Sequence, residues 1–222
     1  MLKRVLCYGD SNTWGFTPIT GERYDENTRW PKVCQQLLGS EYEILEDGLN
    51  GRTTVYDRPW SDHRNGLDAL GYSLLAQMPL DLVVVFLGTN DLSMVPMLRA
   101  VNGIDELMRH IVNADYIYRN GSGIFRNGPK VLMIAPMPYH PCIDSMPNAP
   151  ACGKYQDSLR FAECFRPVAE QYGAAFLDAG QFVQPSPLDG VHLTPEGHRV
   201  LGRAVAEKIK EIFAEGYVTT NG

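Results

Sequence analysis

Five short apolar runs, separated by longer segments with helical spacing, constrain the fold of this 222-residue chain more than any other feature of its sequence. The runs lie at 4–8, 42–45, 82–87, 131–135 and 175–177. Short runs of Val, Ile and Leu that alternate with helices are typical of a parallel sheet covered by helices. The third run, LVVVFL, has no polar alternation, so we expect it to form a central strand that is buried on both faces.

Helical spacing is found between and after these runs, at 30–38, 63–76, 104–119, 155–172 and 195–213. The last of these has the clearest signals, since Thr194 can cap a helix and Pro195 suits its first position. Its apolar stripe consists of Leu201, Val205, Ile209 and Ile212. Glycines that suit the ends of helices stand at Gly39, Gly121 and Gly173. The pattern predicts an α/β fold, a three-layer α/β/α sandwich with a five-stranded parallel sheet.

Composition and charge exclude several classes of protein. A hydrophobic share of 44% and a charged share of 21% are those of a folded globular chain. Lys and Arg total 20 against 26 Asp and Glu, a formal charge of −6, and no basic block offers a footprint for nucleic acid. No segment approaches the roughly 18 consecutive apolar residues that a membrane helix requires. We therefore expect neither a nucleic-acid partner nor a membrane span.

The organisation of the chain predicts one domain. No repeat, low-complexity segment or Ser/Gly/Pro linker divides it, so we expect a single domain over residues 1–215 and a frayed polar tail at 216–222. The segment 136–153 contains five prolines, which predicts an ordered loop or lid rather than a helix or strand.

The cysteines and the N-terminal segment bear on where the protein acts. The five cysteines include no C-x-x-C pair, and the apolar run after Lys3 and Arg4 is too short for the core of a signal peptide. We expect reduced thiols in the cytoplasm. Cys142 and Cys152 flank the Pro-rich segment, but free thiols explain them better than a bridge does.

Polar segments follow four of the predicted strands. They are GDSN at 9–12, GLNGRTT at 48–54, GTND at 88–91 and, about ten residues after the fifth run, DGVH at 189–192. Because ligands bind outside the carboxyl ends of parallel strands, we expect these segments to meet at one edge of the sheet. Together they supply a hydroxyl, free backbone N–H groups, a side-chain amide and a carboxylate three residues before an imidazole. Acyl transfer through a serine requires that set.

Each of these groups, taken alone, has a plainer explanation. Ser11 suits the cap of a helix, and Gly48 and Gly51 suit ordinary turns. Asn90 tolerates a left-handed turn, and the segment 189–192 suits the approach to the last helix. Their joint placement favours a catalytic site over these separate explanations.

In their order and spacing, the four segments resemble blocks of the SGNH (GDSL-like) hydrolases, and are most similar to the bacterial arylesterase and acyltransferase branch. The resemblance implies a flavodoxin-like SGNH hydrolase fold and chemistry that needs no metal or cofactor. It further implies Ser11 as nucleophile, with Asp189 orienting His192 as the base. The implied oxyanion hole consists of the N–H groups of Ser11 and Gly51 and the side-chain amide of Asn90. Many members have Leu or Ile where this chain has Asn12, a difference that alters the polarity of the pocket and leaves the catalytic set intact.

The function implied by the resemblance is a serine esterase that hydrolyses short-chain, acetyl-type esters through an acyl-enzyme, with acyl transfer to alcohols as an additional reaction. Its partner is a small-molecule ester, and relatives in this branch include homo-oligomers. A carbohydrate O-acetylesterase, a lysophospholipase or a thioesterase remain alternatives. A flavodoxin-like small-molecule binder is disfavoured because the chain lacks both G-x-x-x-x-G-K-[ST] and G-x-G-x-x-G. A catalytically dead scaffold is disfavoured because the catalytic set is intact.

Several other residues have two interpretations. Trp14, which we assign to substrate binding, and Phe16 line either the pocket or the core. His198 is a rival base to His192, whereas Asp10 is expected to hydrogen-bond within its own turn. The polar segment 55–64 is either a solvated loop or the rim of a site. The apolar group that follows the third block suits an oligomer contact or a pocket wall, and consists of Met94, Val95, Met97 and Leu98.

Overall fold

The computed structural model describes residues 1–59, 61–118 and 123–214, and it contains one parallel sheet of five strands. The strands are β1 (Lys3–Gly9), β2 (Tyr42–Gly48), β3 (Leu82–Phe86), β4 (Val131–Ala135) and β5 (Ala175–Asp178). Their order across the sheet is β2-β1-β3-β4-β5. All five predicted strands are confirmed, and no end differs by more than three residues from the sequence-based position.

The third apolar run is the central strand, as its uninterrupted hydrophobicity predicts. Val83 and Val85 of β3 point into one hydrophobic core, and Leu82, Val84 and Phe86 into the other. Each of these side chains is at most 2% exposed. A strand covered by helices on both faces gains nothing from polar alternation, which explains the sequence pattern.

Helices cover both faces of the sheet. They are α1 (Ser11–Trp14), α2 (Trp30–Leu38), α3 (Gly66–Gln77), α4 (Thr89–Leu92), α5 (Met97–Val112), α6 (Ala114–Ile117), α7 (Tyr155–Ser158), α8 (Phe161–Gln171) and α9 (Pro195–Ala214). The buried side chains of α2 and α9 pack in one core, and those of α3, α5 and α8 in the other. The three-layer α/β/α sandwich is therefore confirmed.

Two helices match their predicted bounds closely because their local signals are strong. Helix α2 has the predicted ends, and Gly39 closes it with a φ of 74°. Helix α9 extends one residue beyond the prediction, and the Gly197 N–H donates to the Thr194 Oγ1 cap at 3.1 Å. The apolar stripe of α9 is buried against the sheet, as expected.

The other three helix predictions are partly wrong. Asn65 Oδ1 accepts from the Leu67 N–H at 3.0 Å, and this cap starts α3 three residues later than predicted. Helix α5 starts seven residues early, directly after Pro96, because a proline readily precedes the first turn. It ends at Val112, and the end predicted at residue 119 lies outside the described residues. The predicted helix 155–172 is two helices, α7 and α8, interrupted at residues 159–160.

The remaining expectations about the chain have mixed outcomes. Gly173 follows α8 with a φ of 58°, as a closing glycine should, whereas Gly121 and the tail at 216–222 lie outside the described residues. All five cysteines are free. Among the helices that the structure describes, none combines the length and apolar character needed to cross a bilayer. One sheet contains strands from residue 3 to residue 178, and the single domain over residues 1–215 stays a prediction.

The strand order places the candidate site. From β1 the chain crosses first to β2 on one side and then to β3 on the other, so the order reverses between β1 and β3. Ligands bind outside the carboxyl ends of the strands at such a switch point. Ser11 lies two residues after β1 and Asn90 four residues after β3, so both stand at this point.

Candidate active site

A chain of two hydrogen bonds joins a serine, a histidine and an aspartate at the carboxyl edge of the sheet. His192 Nε2 lies 2.9 Å from Ser11 Oγ, and His192 Nδ1 lies 2.7 Å from Asp189 Oδ2. Ser11 belongs to α1, while Asp189 and His192 come from the loop that precedes α9. The fold thus brings together residues that are 181 positions apart in the sequence.

The loop that carries Asp189 and His192 holds the aspartate in its charged form. Asp189 Oδ1 accepts the backbone N–H groups of Val191 and His192, both at 3.0 Å, around Gly190 at a φ of 74°. Burial raises the pKa of Asp189, but hydrogen bonds from the His192 ring and from these two N–H groups outweigh it and keep the pKa below its usual range. A carboxylate is therefore present to orient the imidazole.

Ser11 occupies the first position of α1, and Asp10 is the residue that caps this helix. Asp10 Oδ1 accepts from the Asn12 N–H at 2.9 Å, which confirms the expected role of Asp10 within its turn and removes Ser11 as the cap. Burial raises the pKa of Asp10 to about 6, although the Asn12 N–H and the nearby His192 act in the opposite direction. Asn12 continues the turn: its Oδ1 accepts from the Leu193 N–H at 3.0 Å and so connects α1 to the histidine loop.

Three residues with hydrogen-bond donors, Ser11, Gly51 and Asn90, border the same cavity. Within the described residues, the backbone N–H groups of Ser11 and Gly51 have no protein acceptor. Asn90 Nδ2 donates to the Arg52 carbonyl at 3.0 Å and, over a longer 3.4 Å, to Asp10 Oδ2. All of these donors border one cavity with His192. The structure therefore brings together Ser11, Gly51, Asn90, Asp189 and His192.

Two buried residues that the sequence did not mark as functional hold the second polar segment in place. Arg52 Nη1 donates to the Gly9 carbonyl at 2.9 Å, and its Nη2 donates to Asp47 Oδ1 at 2.8 Å. Asp91 accepts the Thr54 N–H on both oxygens, at 3.0 and 3.1 Å, and also the Thr54 hydroxyl. Burial raises the pKa of Asp91 to about 6, against the hydrogen bonds from Thr54. Arg52 and Asp91 lie in the polar segments of the sequence, but the sequence does not show that both side chains are buried and make these contacts.

The cavity next to Ser11 has a volume of about 240 Å³. Its wall opposite the serine is apolar and comes from the Pro-rich segment 136–153, through Ile143, Ala149, Pro150 and Ala151. The hydroxyl of Tyr139 donates to the Thr89 carbonyl at 2.5 Å and anchors that segment to the third polar block. The segment is thus an ordered wall of the cavity, but it is not wholly a loop as expected, because Pro141–Ser145 form a 3-10 helix that begins at a proline.

Of the two aromatic residues Trp14 and Phe16, the one that lines this cavity is Phe16. The Phe16 ring lies 4.3 Å from the His192 ring, centroid to centroid, and forms part of the cavity wall. Trp14 is absent from the lining residues, and its ring lies 5.4 Å from the Arg23 guanidinium carbon instead. The prediction that Trp14 contacts substrate therefore finds no support at this cavity, because the ring lies beside Arg23 instead.

His198 is not the base, contrary to the rival interpretation. It is fully buried, and its Nδ1 accepts from the Trp30 N–H at 3.3 Å at the start of α2. Burial, together with the charges of His192 and Arg29, lowers the pKa of His198 to about 3. The role of His198 is to satisfy an N–H group at a helix start.

The two remaining segments have different relations to the cavity. From the segment 55–64, Arg58 borders it, which supports the interpretation as a rim. From the apolar group after the third block, none of the four side chains borders this cavity, and Leu98 is 72% exposed. Across the described ranges, no three His, Cys, Asp or Glu side chains are grouped so that they could hold a metal ion.

Comparison with known proteins agrees with this geometry. The model of the GDSL-like lipase/acylhydrolase family matches residues 7–200. The chain belongs to this family. Comparison with curated protein sequences gives no significant match.

Solved structures of family members cover almost the whole chain. A carbohydrate acetylesterase family member from Sinorhizobium meliloti is 34% identical, with a TM-score of 0.87, over 96% of this chain and 100% of its own. The aryl esterase of M. smegmatis is 32% identical, with a TM-score of 0.83, over 94% and 99%. A putative arylesterase from Agrobacterium tumefaciens is 36% identical, with a TM-score of 0.84, over 95% and 100%. This member of the GDSL-like family is a carboxylic-ester hydrolase.

Proposed function

We propose that the chain hydrolyses short-chain acyl esters through an acyl-enzyme on Ser11. The observation that carries this proposal is the continuous path from Ser11 Oγ through the His192 ring to the Asp189 carboxylate, with contacts of 2.9 and 2.7 Å. Both distances are those of ordinary hydrogen bonds, along which His192 can accept a proton from Ser11.

In the first half of the reaction, Ser11 Oγ attacks the ester carbonyl carbon while His192 Nε2 takes the hydroxyl proton. Asp189 holds the other proton on Nδ1 and stabilises the imidazolium that forms. The carbonyl oxygen becomes an oxyanion and accepts from the Ser11 and Gly51 N–H groups and from Asn90 Nδ2. The tetrahedral intermediate then expels the alkoxide, which takes the proton from His192, and the acyl group remains on Ser11.

In the second half, water replaces the alcohol. The water oxygen attacks the acyl carbon while His192 takes a proton from this water. The same three donors stabilise the second oxyanion. Collapse of this intermediate releases the carboxylic acid and returns the proton to Ser11 Oγ. Where an alcohol replaces water in this half, the product is a new ester, which is the proposed acyl-transfer reaction.

The size of the cavity supports short acyl groups. Its volume of about 240 Å³ is smaller than the roughly 300–1,000 Å³ typical of pockets for drug-sized ligands. Ile143 and Ala151 are buried parts of its wall, so the space next to Ser11 suits a short acyl group better than a lipid chain. Acetates of aryl alcohols are therefore the first candidate substrates. Carbohydrate acetates are the second, because a structural relative carries the name of carbohydrate acetylesterase.

Hydrolysis of p-nitrophenyl esters from acetate to octanoate tests the mechanism and the acyl preference together. The variants Ser11→Ala and His192→Ala are expected to lose at least about a thousandfold in kcat, the effect known for members of a catalytic triad. Ser145→Ala and His63→Ala are matched controls, since both residues are exposed and neither borders the cavity. Retention of the native rate by Ser11→Ala would refute a serine nucleophile.

A homo-oligomer in the cytoplasm is a further part of the proposal. The exposed Leu98, close in sequence to Met94 and Val95, supports a contact surface between copies. The free thiols of Cys142 and Cys152 support a reducing compartment. Light scattering on the native chain and on Leu98→Lys tests the contact: a smaller mass for the variant is expected, whereas a monomeric native chain would contradict it.

A further inference from the structure

Arg58 connects two parts of the candidate oxyanion hole through one atom. Its Nη1 donates to the Gly51 carbonyl at 3.3 Å and to Asn90 Oδ1 at 3.4 Å. The residue borders the same cavity as Ser11 and His192. The Arg58 guanidinium therefore contacts both Gly51 and Asn90, the two proposed oxyanion donors other than Ser11.

The contact with Gly51 leaves no room for a side chain. Gly51 has a φ of 78°, and a Cβ built on it would lie 2.6 Å from Arg58 Nη1. The guanidinium thus packs directly on the Gly51 backbone and fixes the carbonyl side of this residue. Gly51 also borders the cavity, and within the described residues its N–H group has no protein acceptor.

The contact with Asn90 orients the amide. Because Oδ1 accepts from Arg58, the amide nitrogen is turned toward the Arg52 carbonyl and Asp10 Oδ2, at the cavity edge next to Ser11. A cation on the amide oxygen also polarises the amide, which makes its N–H groups stronger donors. A flipped amide would place its oxygen against the Arg52 carbonyl and its nitrogen against the guanidinium, so Arg58 and the Arg52 carbonyl fix the orientation of Asn90 together.

The charge of Arg58 has no partner that explains it as a structural ion pair. Over residues 1–59, 61–118 and 123–214, no carboxylate lies within ion-pair distance of its guanidinium, and its buried Nε has no hydrogen-bond partner. Burial lowers the pKa of Arg58 and the nearby charge of Arg64 lowers it as well, whereas the charge of the buried Asp91, beyond ion-pair distance, acts in the opposite direction. A partly buried cation in such surroundings is stabilised when negative charge develops next to it.

We propose that Arg58 is a positioning residue of the oxyanion hole, which aligns Gly51 and Asn90 and places a positive charge beside the oxyanion of the transition state. The proposal rests on the proposed serine-esterase function. The positive charge of Arg58 stabilises mainly the transition state, since the ground-state ester carries no full negative charge on its carbonyl oxygen.

The test compares kcat and KM for p-nitrophenyl acetate among variants that separate charge from shape. Arg58→Met keeps the apolar stem without the charge, and we expect kcat to fall about 30- to 100-fold with KM changed less than about threefold. Arg58→Lys keeps the charge without the fork and should recover part of that loss. Arg64→Met is the matched control, an adjacent arginine whose side chain donates no hydrogen bond to Gly51 or Asn90, and its kcat should stay within about threefold of native.

A second readout isolates the hole from substrate binding. A phenylboronic acid forms a tetrahedral adduct with the serine oxygen and places a negative oxygen in the oxyanion hole. We expect its inhibition constant to rise for Arg58→Met by about the same factor by which kcat/KM falls. A residue with only a structural role would lower the melting temperature without moving these two quantities together. If Arg58→Met does not fold, Arg58→Gln is judged by the same criteria.

Three results would overturn the inference. One is a kcat of Arg58→Met within about threefold of native, and another is an equal loss in Arg64→Met. The third is a defect limited to KM for an anionic ester such as mono-p-nitrophenyl succinate, which would make Arg58 a substrate-recognition residue. Failure of the proposed function is distinguishable, because there Ser11→Ala would retain its rate. If Ser11→Ala is inactive and Arg58→Met is fully active, only the proposed role of Arg58 is rejected and the serine mechanism stands.

Discussion

Thr54 and Asp91 join the second and third polar segments inside the protein, since the Thr54 N–H donates to both oxygens of the buried Asp91 carboxylate at 3.0 and 3.1 Å. The Thr54 hydroxyl donates to the same carboxylate. Asp91 is next to Asn90 in the chain, and Thr54 is three residues from Gly51. The pair therefore fixes the distance between two of the proposed oxyanion donors.

Removal of the Thr54 hydroxyl is expected to weaken both the fold and the site. In Thr54→Val the shape of the side chain is kept, but the buried carboxylate loses a donor, so we expect a loss of about 1.5 to 3 kcal/mol in the free energy of unfolding. Urea denaturation measures it, with the exposed Thr20→Val as control. We also expect kcat to fall at a temperature where the variant is folded. Unchanged stability would mean that the hydroxyl is not needed by Asp91.

Most of the fold follows from local patterns in the sequence. The apolar runs are buried by two layers of helices, so hydrophobicity alone marks β3 and its neighbours. Helix ends are predictable where a cap is present, as with Thr194 before α9. The start of α5 was missed because Met97 was interpreted as part of a contact surface, although it is only 8% exposed and packs in the core. Whether such a residue faces the core depends on the neighbouring elements and not on its own segment.

The site could be predicted as a set of residues but not as a geometry. Ser11, Asn90 and His192 stand after strands or before a helix, so parallel topology suffices to bring them to one edge. The roles of Arg52 and Arg58 depend on how a loop without periodicity folds back on Gly9 and Gly51. A charged residue in a polar segment has the same sequence signal whether it is solvated or buried. Contacts of this kind become visible only in the folded chain.

His198 makes the stability of the protein depend on pH. Its pKa is lowered by burial to about 3 in the folded chain, whereas an unfolded histidine takes up its proton near pH 6.5. Unfolding therefore takes up a proton between these two pH values, and the stability from this residue is present above pH 6.5 and is lost as the pH falls toward 3. At pH 4.5 the contribution of His198 is expected to be a loss of about 2 to 3 kcal/mol relative to pH 7, and the buried Asp10 and Asp91, whose pKa values are raised to about 6, act in the opposite direction.

The variant His198→Asn isolates this effect. Its amide oxygen can replace Nδ1 as the acceptor for the Trp30 N–H, and it does not titrate. On going from pH 7 to pH 4.5, the urea midpoint of the native chain should therefore fall more, or rise less, than that of His198→Asn. The exposed His63→Asn should keep the native difference. Equal differences in all three proteins would show that other groups carry the acid sensitivity.

Asp189→Asn tests the role of the carboxylate without changing the shape of the site. An asparagine can donate to His192 Nδ1, which would leave the proton on Nε2, the nitrogen that must accept the proton of Ser11. We expect a fall in kcat of about 10⁴-fold near neutral pH. The p-nitrophenyl acetate assay measures it, with the exposed Asp157→Asn as control. A loss smaller than about tenfold would indicate that another group orients the imidazole.

Ile143 is predicted to limit the length of the acyl group in the proposed reaction. Its side chain is fully buried at the cavity wall, so Ile143→Ala adds space within reach of the serine. One methylene in an apolar pocket is worth about 1 to 3 kcal/mol, so we expect the kcat/KM ratio of butanoate to acetate to rise about tenfold or more. The substitution also removes packing in the core, but both esters are assayed on the same sample, so a smaller folded fraction cancels from the ratio. An unchanged ratio would place the acyl group against another wall of the cavity, nearest to Phe16 and Val191.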